Sequence, residues 1–348
     1  MYSTCLVVIA RNEAARIERL LRSVAPFVDR MLVLDTGSTD ATAALAAACG
    51  ARVEHFTWID DFSVARNRAL DLAGADWHLV LDADEWLISG GEALSALRKL
   101  KPDFVASVEL RDQFFDGELR QGQGRLSRVL PGSVRYAGSI HEQPQHQLPV
   151  RALDIVVGHD GYLPDRLEAK RGRNRQLLEK ALAAAPDDAY LHYQLGKDAD
   201  VYEDFAEAAA AFARAAALPG AEDQSWWPEL MTRWLFALKK LKRHERAMPL
   251  AESQLARCAD SPDFFFVLGD LLLDLAADEP ARAEDLLPMI EQAWTRCLEL
   301  GERPEQPGAV AGRGSFLAAH NLALVMEGTG RAELAAELRL AYPAPGHP

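Results

Sequence analysis

The sequence predicts an α/β domain with a Rossmann-like, mainly parallel sheet, followed by an all-α domain of helical repeats. Residues 1–85 alternate short β-rich apolar runs with helical ones, the order expected of βαβ units. From about residue 168 the chain turns to long Ala- and Leu-rich segments with helical spacing. Acidic residues stand where two of the β-rich runs end, the edge at which open parallel sheets bind their ligands.

Taken in order, "CLVVIA" (5–10), "RMLVLD" (30–35), "ARVEHF" (51–56) and "WHLVLD" (77–82) read as strands. "EAARIERLLRSV", "ATAALAAACG" and "SVARNRALDLA" between them carry helical apolar spacing. Right-handed crossovers then give a parallel sheet covered on both faces. "DTGSTDAT" supplies a glycine for a tight turn and offers Ser38, Thr39 and Asp40 as N-caps for the next helix. "DFVASVEL", "GRLSRVL", "VRYAG" and "LDIVVGH" are shorter strands that complete a first domain over 1–165. In 189–219, Leu195–Gly196, Ala208, Phe212 and Ala215 fall where a tetratricopeptide repeat needs small and apolar residues. Leu268–Gly269 and Leu322–Ala323 repeat the pattern more loosely. The second domain is therefore expected over 168–340 with three or four repeats, and 341–348 as a tail.

A chain of 348 residues is long enough for two cores. Its net charge of −14 argues against nonspecific nucleic-acid binding, which needs an excess of cations. Four cysteines without a CxxC pair indicate neither a zinc site nor a disulfide framework and fit a reduced, cytoplasmic setting. "TCLVVIA" is too short for a secretory signal, and no run reaches the roughly 20 apolar residues of a membrane span. Peripheral attachment to a membrane stays open.

"LVLDADEWL" (79–87) sets three acids within four positions. Such carboxylates repel one another unless a cation lies between them, and a divalent metal with substrate phosphates is the usual solution. Asp35 and Asp82 end the second and fourth strands, so both are expected in one crevice.

"VVIARNEAARIERLLRSV", "VLDTGSTDAT", "WIDDFSVARNRAL" and "LVLDADEWL", in that order, resemble the family 2 glycosyltransferases of the GT-A fold. The coupling to tetratricopeptide-type helices is similar to that of sublancin-type peptide S-glycosyltransferases, and lipopolysaccharide-core sugar transferases share the catalytic half. The resemblance implies that Ala10, Asn12 and Glu13 line the base and ribose of a nucleotide sugar, UDP-sugar favoured, and that Asp35 hydrogen-bonds the base or ribose. Asp61, Arg66 and Asn67 would close over the nucleotide, with Arg66 on the diphosphate. Asp82, Ala83 and Asp84 form the metal motif, with Asp84 the better direct ligand and Mg²⁺ or Mn²⁺ the cofactor. His159 of "GHDGY" is a further candidate ligand, against a structural hydrogen-bonded role. The Glu-Asp pair that supplies a base in many relatives is absent; "SIHEQP" occupies that stretch and offers Glu142 or His141. The implied acceptor is a peptide or glycan, and the extended faces that stacked repeats form suggest acceptor capture or homodimerisation by the helical half. Trp58, Trp86 and Tyr162 read as core aromatics before sugar platforms, and Trp226–Trp227 as core between repeats.

Other readings fit less well. A phosphatase with DxD at a strand end needs Thr or Val shortly after, where Glu85 and Trp86 stand. A nucleotidyltransferase needs glycines that "ARNEAARI" lacks, and no GxxxxGK[ST] loop exists for a P-loop kinase. A repeat scaffold carrying a degenerate catalytic half is the alternative of another class, and the acids at 35, 82 and 84 argue against it.

Overall fold

The structure is a computed structural model that describes residues 1–116, 118–162 and 172–344. The domain boundary expected between 165 and 168, the side chain of Tyr162 and the end of the expected tail lie outside the described residues. Two compact units divide the chain, Met1–Leu177 and Leu178–Pro348, each with its own core.

The first unit opens as expected: β1 (Thr4–Ala10), α1 (Ile17–Val24), β2 (Arg30–Asp35), α2 (Thr42–Ala48), β3 (Arg52–His55), α3 (Phe62–Ala73) and β4 (Trp77–Asp82). There follow β5 (Glu85–Ser89), α4 (Gly91–Ala96), β6 (Val105–Asp116), β7 (Glu118–Pro131), β8 (Arg135–Ala137), β9 (Gln143–Gln145) and β10 (Val150–Tyr162). The main sheet has the order β3-β2-β1-β4-β7-β6-β10-β5. Its β3-β2-β1-β4 half is wholly parallel. Beyond β4 the sheet is mixed, because β7 runs antiparallel to both β4 and β6, and β5 antiparallel to β10. β8 and β9 pair separately.

The apolar runs are continuous because both sheet faces are covered. Leu6 and Val8 enter one core with α1, while Cys5 and Val7 enter the other with Ala65, Ala69 and Leu70 of α3. Two segments depart from the sequence pattern. α1 begins at Ile17 rather than near 13; in the turn before it the amides of Glu13 and Ala14 bond Thr42 Oγ1 and Asp40 Oδ2. β5 follows Asp84 directly, with no glycine or proline to announce the reversal.

The division between the units falls within α5 (Arg173–Ala184), and the second unit then contains four helical pairs among the described residues. They are α6 (Ala189–Val201) with α7 (Phe205–Ala216), α8 (Trp227–Lys240) with α9 (His244–Gln254), α10 (Pro262–Asp278) with α11 (Ala283–Leu300), and α12 (Phe316–Gly328) with α13 (Ala332–Ala341). Within these pairs the repeat positions are filled as the sequence implied. Ala208, Phe212 and Ala215 are fully buried, and a Cβ on Gly196 would meet the Phe212 ring at 2.4 Å. Gly269 gives way to Trp294 in the same manner. Trp227 is core, and Trp226 stacks on Tyr193 at 4.8 Å. Between α6 and α8, buried Glu229 accepts from Lys197 Nζ (2.9 Å), Arg233 Nε (2.8 Å) and the Tyr193 hydroxyl. Burial alone would raise its pKa, but Lys197, Arg233 and Tyr193 hold it at about 2.

Candidate active site

The register places Ala10 opposite Asp35 and Ile9 opposite Asp82, so the two strand-end acids share the carboxyl edge of the parallel half-sheet. The loops after β1 and β2 are laced together there. Ser38 Oγ accepts from the Asn12 amide (2.9 Å), Asn12 Oδ1 from the Thr39 amide (2.8 Å) and Thr42 Oγ1 from the Glu13 amide (2.7 Å). Asn12 holds a left-handed backbone at φ 57°, a conformation asparagine tolerates. The capping expectation is thereby corrected. Ala41 occupies the N-cap position of α2 without a side-chain cap. Ser38 and Thr39 serve the neighbouring loop, and Asp40 takes the amides of Ala14 (3.2 Å) and Thr42 (3.0 Å).

Ala10 is buried, and its carbonyl accepts from the Thr36 amide and hydroxyl. Asp35 is buried and accepts from the amides of Gly37 (3.3 Å) and Ser38 (3.2 Å) and from His55 Nδ1 (3.3 Å). Burial pushes its pKa up, but the bonds from Ser38, Gly37 and His55 outweigh that and hold it below the usual range. Asp35 therefore shapes its own turn, a role its motif does not announce. It also lines a cleft of about 600 Å³ with Arg11, Thr36, Gly37, His55, Phe56, Thr57 and Trp58. Trp58 is fixed there by Asp60 (3.0 Å) and by edge contact with Phe62. Trp86 lies under the Arg19 guanidinium at 3.8 Å.

Asp61 caps α3, accepting from the Val64 amide at 3.0 Å. Asn67 uses its side chain on the main chain of Tyr136 in both directions (2.9 and 2.8 Å), which pins β8 to α3. Arg66 points from the same helix toward Asp82. Its Nη2 bonds Asp82 Oδ1 at 2.5 Å, its Nε pairs with Glu142, and its buried Nη1 has no partner among the described residues. The other Asp82 oxygen belongs to Arg128 of β7 (2.8 Å), which also pairs with Glu85. Burial would raise the Asp82 pKa, yet Arg66 and Arg128 hold it well below the carboxylate range. Both Asp82 oxygens thus face guanidinium groups.

Ala83 and Asp84 are buried. Asp84 Oδ2 lies 3.6 Å from His159 Nε2, and His159 Nδ1 meets Asp112 Oδ1 at 2.6 Å. Burial would lower the His159 pKa, but Asp112 and Asp84 outweigh it and raise it to about 10. Glu13 pairs with Arg16 at 2.6 Å. His141 has a left-handed backbone, φ 51°, immediately before Glu142. Arg66 thus links the "SIHEQP" loop to the DxD acid.

Sequence reasoning missed Glu85, Asp112 and Arg128. Glu85 carried the signal of its neighbours in "DADEW"; Asp112 and Arg128 sit in polar stretches of β6 and β7 with no motif around them. Among the described residues no group of three or more His, Cys, Asp or Glu side chains is arranged to hold a metal ion. No helix among them is long and apolar enough to cross a membrane.

Residues 5–148 match the family described as glycosyl transferase family 2. A TPR repeat-containing protein of Synechococcus elongatus is 41% identical over 213 residues, covering 56% of this chain and 52% of its own length. The SPbeta prophage-derived glycosyltransferase SunS of Bacillus subtilis is 30% identical over 208 residues, covering 56% of this chain and 48% of its own. The chain thus spans about half the length of the curated relatives it matches. Glucosyl-3-phosphoglycerate synthase from Mycobacterium tuberculosis, solved with Mn²⁺, UDP and glucosyl-3-phosphoglycerate, is 28% identical over 32% of this chain and 44% of that one. The TM-score of that match is 0.27. Family match, sheet order and repeat packing converge: residues 5–148 are a glycosyl transferase family 2 domain, here followed by an all-α, tetratricopeptide-like region, in a chain related to glycosyltransferase SunS.

Proposed function

We propose that the chain transfers a sugar, with inversion, from a nucleotide-sugar donor, UDP-hexose favoured, to a peptide or glycan acceptor. The observation that carries this reading is the strand-edge crevice, where Asp82 is held by Arg66 and Arg128 and Asp84 faces His159. The cleft bounded by Asp35, Arg11, His55 and Trp58 is of a size to take the nucleoside, with Ala10, Asn12 and Glu13 beside it and Asp61 and Asn67 fixing α3. An ionised Asp35 favours a base that presents an N–H to it, as uracil and guanine do.

The residues fit a divalent cation. Asp84 offers a hard oxygen 3.6 Å from His159 Nε2, and Asp112 engages the other ring nitrogen, the arrangement that orients a metal-ligating histidine. Asp82 has both oxygens on arginines and is assigned to contacts through the donor or water rather than direct ligation. Asp82, Glu85 and Glu142 pair with the Arg66 and Arg128 guanidinium groups, and Asp84 and Asp112 with His159, so five carboxylates face three basic side chains, a balance that repels a diphosphate unless a further cation joins it. With few protein ligands, phosphate and water would complete the shell, as is common for Mg²⁺. When bound, Mg²⁺ or Mn²⁺ supplies Lewis-acid stabilisation of the leaving diphosphate. Arg66 and Arg128 set the charge behind it. Glu142 or His141 accepts the acceptor's proton as it attacks the anomeric carbon from the opposite face.

Calorimetry of UDP and GDP binding, each with Mn²⁺ and with EDTA, tests the reading. Wild type should bind more tightly with Mn²⁺, and Asp84→Asn should lose that increment and abolish transfer. Equal affinity in Mn²⁺ and EDTA would defeat the metal assignment, and no binding of either nucleotide would defeat the function.

A further inference from the structure

Glu85 begins β5 directly after the DxD motif and is 2% exposed. Its Oε2 accepts the main-chain amide of Asp82 at 2.9 Å, and its Oε1 pairs with Arg128 Nη2. Arg128 is 9% exposed; the same Nη2 reaches Asp82 Oδ2 at 2.8 Å, and its buried Nε has no partner among the described residues. Asp82 is therefore gripped at its amide by Glu85 and at its two oxygens by Arg66 and Arg128. Only Ala83 and Asp84 lie between the end of β4 and the start of β5. A two-residue link anchored so closely on both sides leaves Asp84 little freedom. The second anchor does more, because the β5–β10 register sets Glu85 directly opposite His159. One residue thus holds Asp82 and Arg128 with its side chain and His159 with its strand position.

Stability gives no sufficient reason for such a cluster. Each buried ion costs several kcal/mol in desolvation, and apolar replacements of buried ion pairs are often as stable or more so. What the cluster secures is the geometry of the DxD link.

We propose that Glu85 and Arg128 form a clasp that positions Asp84 and His159 for a divalent cation. Neither touches the cation; both act through Asp82 and the β5–β10 pairing. The inference rests on the metal reading above and adds two residues to it.

The test compares full-length wild type, Arg128→Met, Arg128→Lys, Glu85→Gln and the double variant Glu85→Gln/Arg128→Met. Mn²⁺ binding in the presence of UDP is read from the EPR signal of free Mn²⁺, and stability from thermal unfolding. Loss of a residue that orients a ligand typically weakens metal binding by about 10- to 100-fold. Arg128→Met should fall in that range and also melt lower, since it leaves the buried Glu85 carboxylate without its cation and takes one of the two arginines from Asp82. Arg128→Lys keeps the charge without the fork and should still bind Mn²⁺ more weakly than wild type. The double variant removes cation and anion together, so its melting temperature should recover toward wild type while Mn²⁺ affinity stays low. That split supports the clasp. Unchanged Mn²⁺ affinity in Arg128→Met, or affinity that recovers with stability in the double variant, overturns it. A wild type that binds no Mn²⁺ with UDP removes the metal reading itself, a different failure from variants that bind as wild type does.

Discussion

Asp82, Asp84 and Asp35 stand at strand ends for different reasons, and their partners tell them apart. Asp35 accepts two amides of its own turn, Asp82 lies between two arginines, and Asp84 faces a histidine. Three residues of one type thus take a turn-shaping, an arginine-compensated and a histidine-facing position. The base is the open assignment at this scale, and its identity bears on the acceptor. A thiol, with an ordinary pKa of about 8.5, carries some thiolate at neutral pH and is intrinsically nucleophilic. A hydroxyl depends on a positioned base worth roughly 10²- to 10⁴-fold in rate. With a cysteine acceptor, Glu142→Gln and His141→Ala should each slow transfer modestly, and the deficit should shrink as pH rises through about 8. With a hydroxyl acceptor one of them should cost at least about 10²-fold at every pH. Transfer rates from pH 6.5 to 9 decide between these, and two unimpaired variants with a hydroxyl acceptor place the base elsewhere.

At the scale of elements, α3 and the repeat helices show how a local pattern becomes a contact. Asp61 caps α3, and Gly74 ends it at φ 51°, with its amide on the Leu70 carbonyl. The caps fix the helix length, and its buried alanines fix which face carries Arg66 toward Asp82. In the repeats, glycine permits close approach of side chains rather than an unusual turn. Gly196→Ala would place a methyl 2.4 Å from the Phe212 ring, and overpacking of this kind costs about 1–3 kcal/mol. The gain in helix propensity, at most about 1 kcal/mol, does not offset it. Gly328, the last residue of α12, has nothing within 4 Å of the place a methyl would take, so Gly328→Ala should be neutral or mildly stabilising. Urea unfolding of the two variants checks the argument. If Gly196→Ala is as stable as Gly328→Ala, the close packing of α6 on α7 is not what holds that repeat together.

On the scale of the whole molecule, two units with separate cores carry different surfaces. The strand-edge crevice belongs to the first, and the second is built of stacked helical pairs, an architecture with which other repeat proteins present extended binding surfaces. Residues 1–177 expressed alone should therefore keep Mn²⁺-dependent nucleotide binding and lose transfer to the acceptor. Transfer equal to that of the full chain would exclude acceptor capture by the helices. Light scattering on both forms tests the homodimer, which a monomeric full-length chain would exclude.

Much of this was legible from the residues. The β1–β4 strands, the helices between them and the repeat positions at Gly196, Phe212 and Gly269 follow from local periodicity, which short stretches carry in themselves. So did the meeting of Asp35 and Asp82 at one edge, since parallel strands end on the same side. The sequence could not show that β7 inserts beside β4, 46 residues after Asp82 in the case of Arg128, or that β5 turns back to pair with β10. Strand order alone brings Arg128 to Asp82, Asp112 to His159 and Glu85 opposite His159. Which cation faces which carboxylate depends on a few ångströms of separation, and that distance is set by the folded sheet rather than by any pattern along the chain.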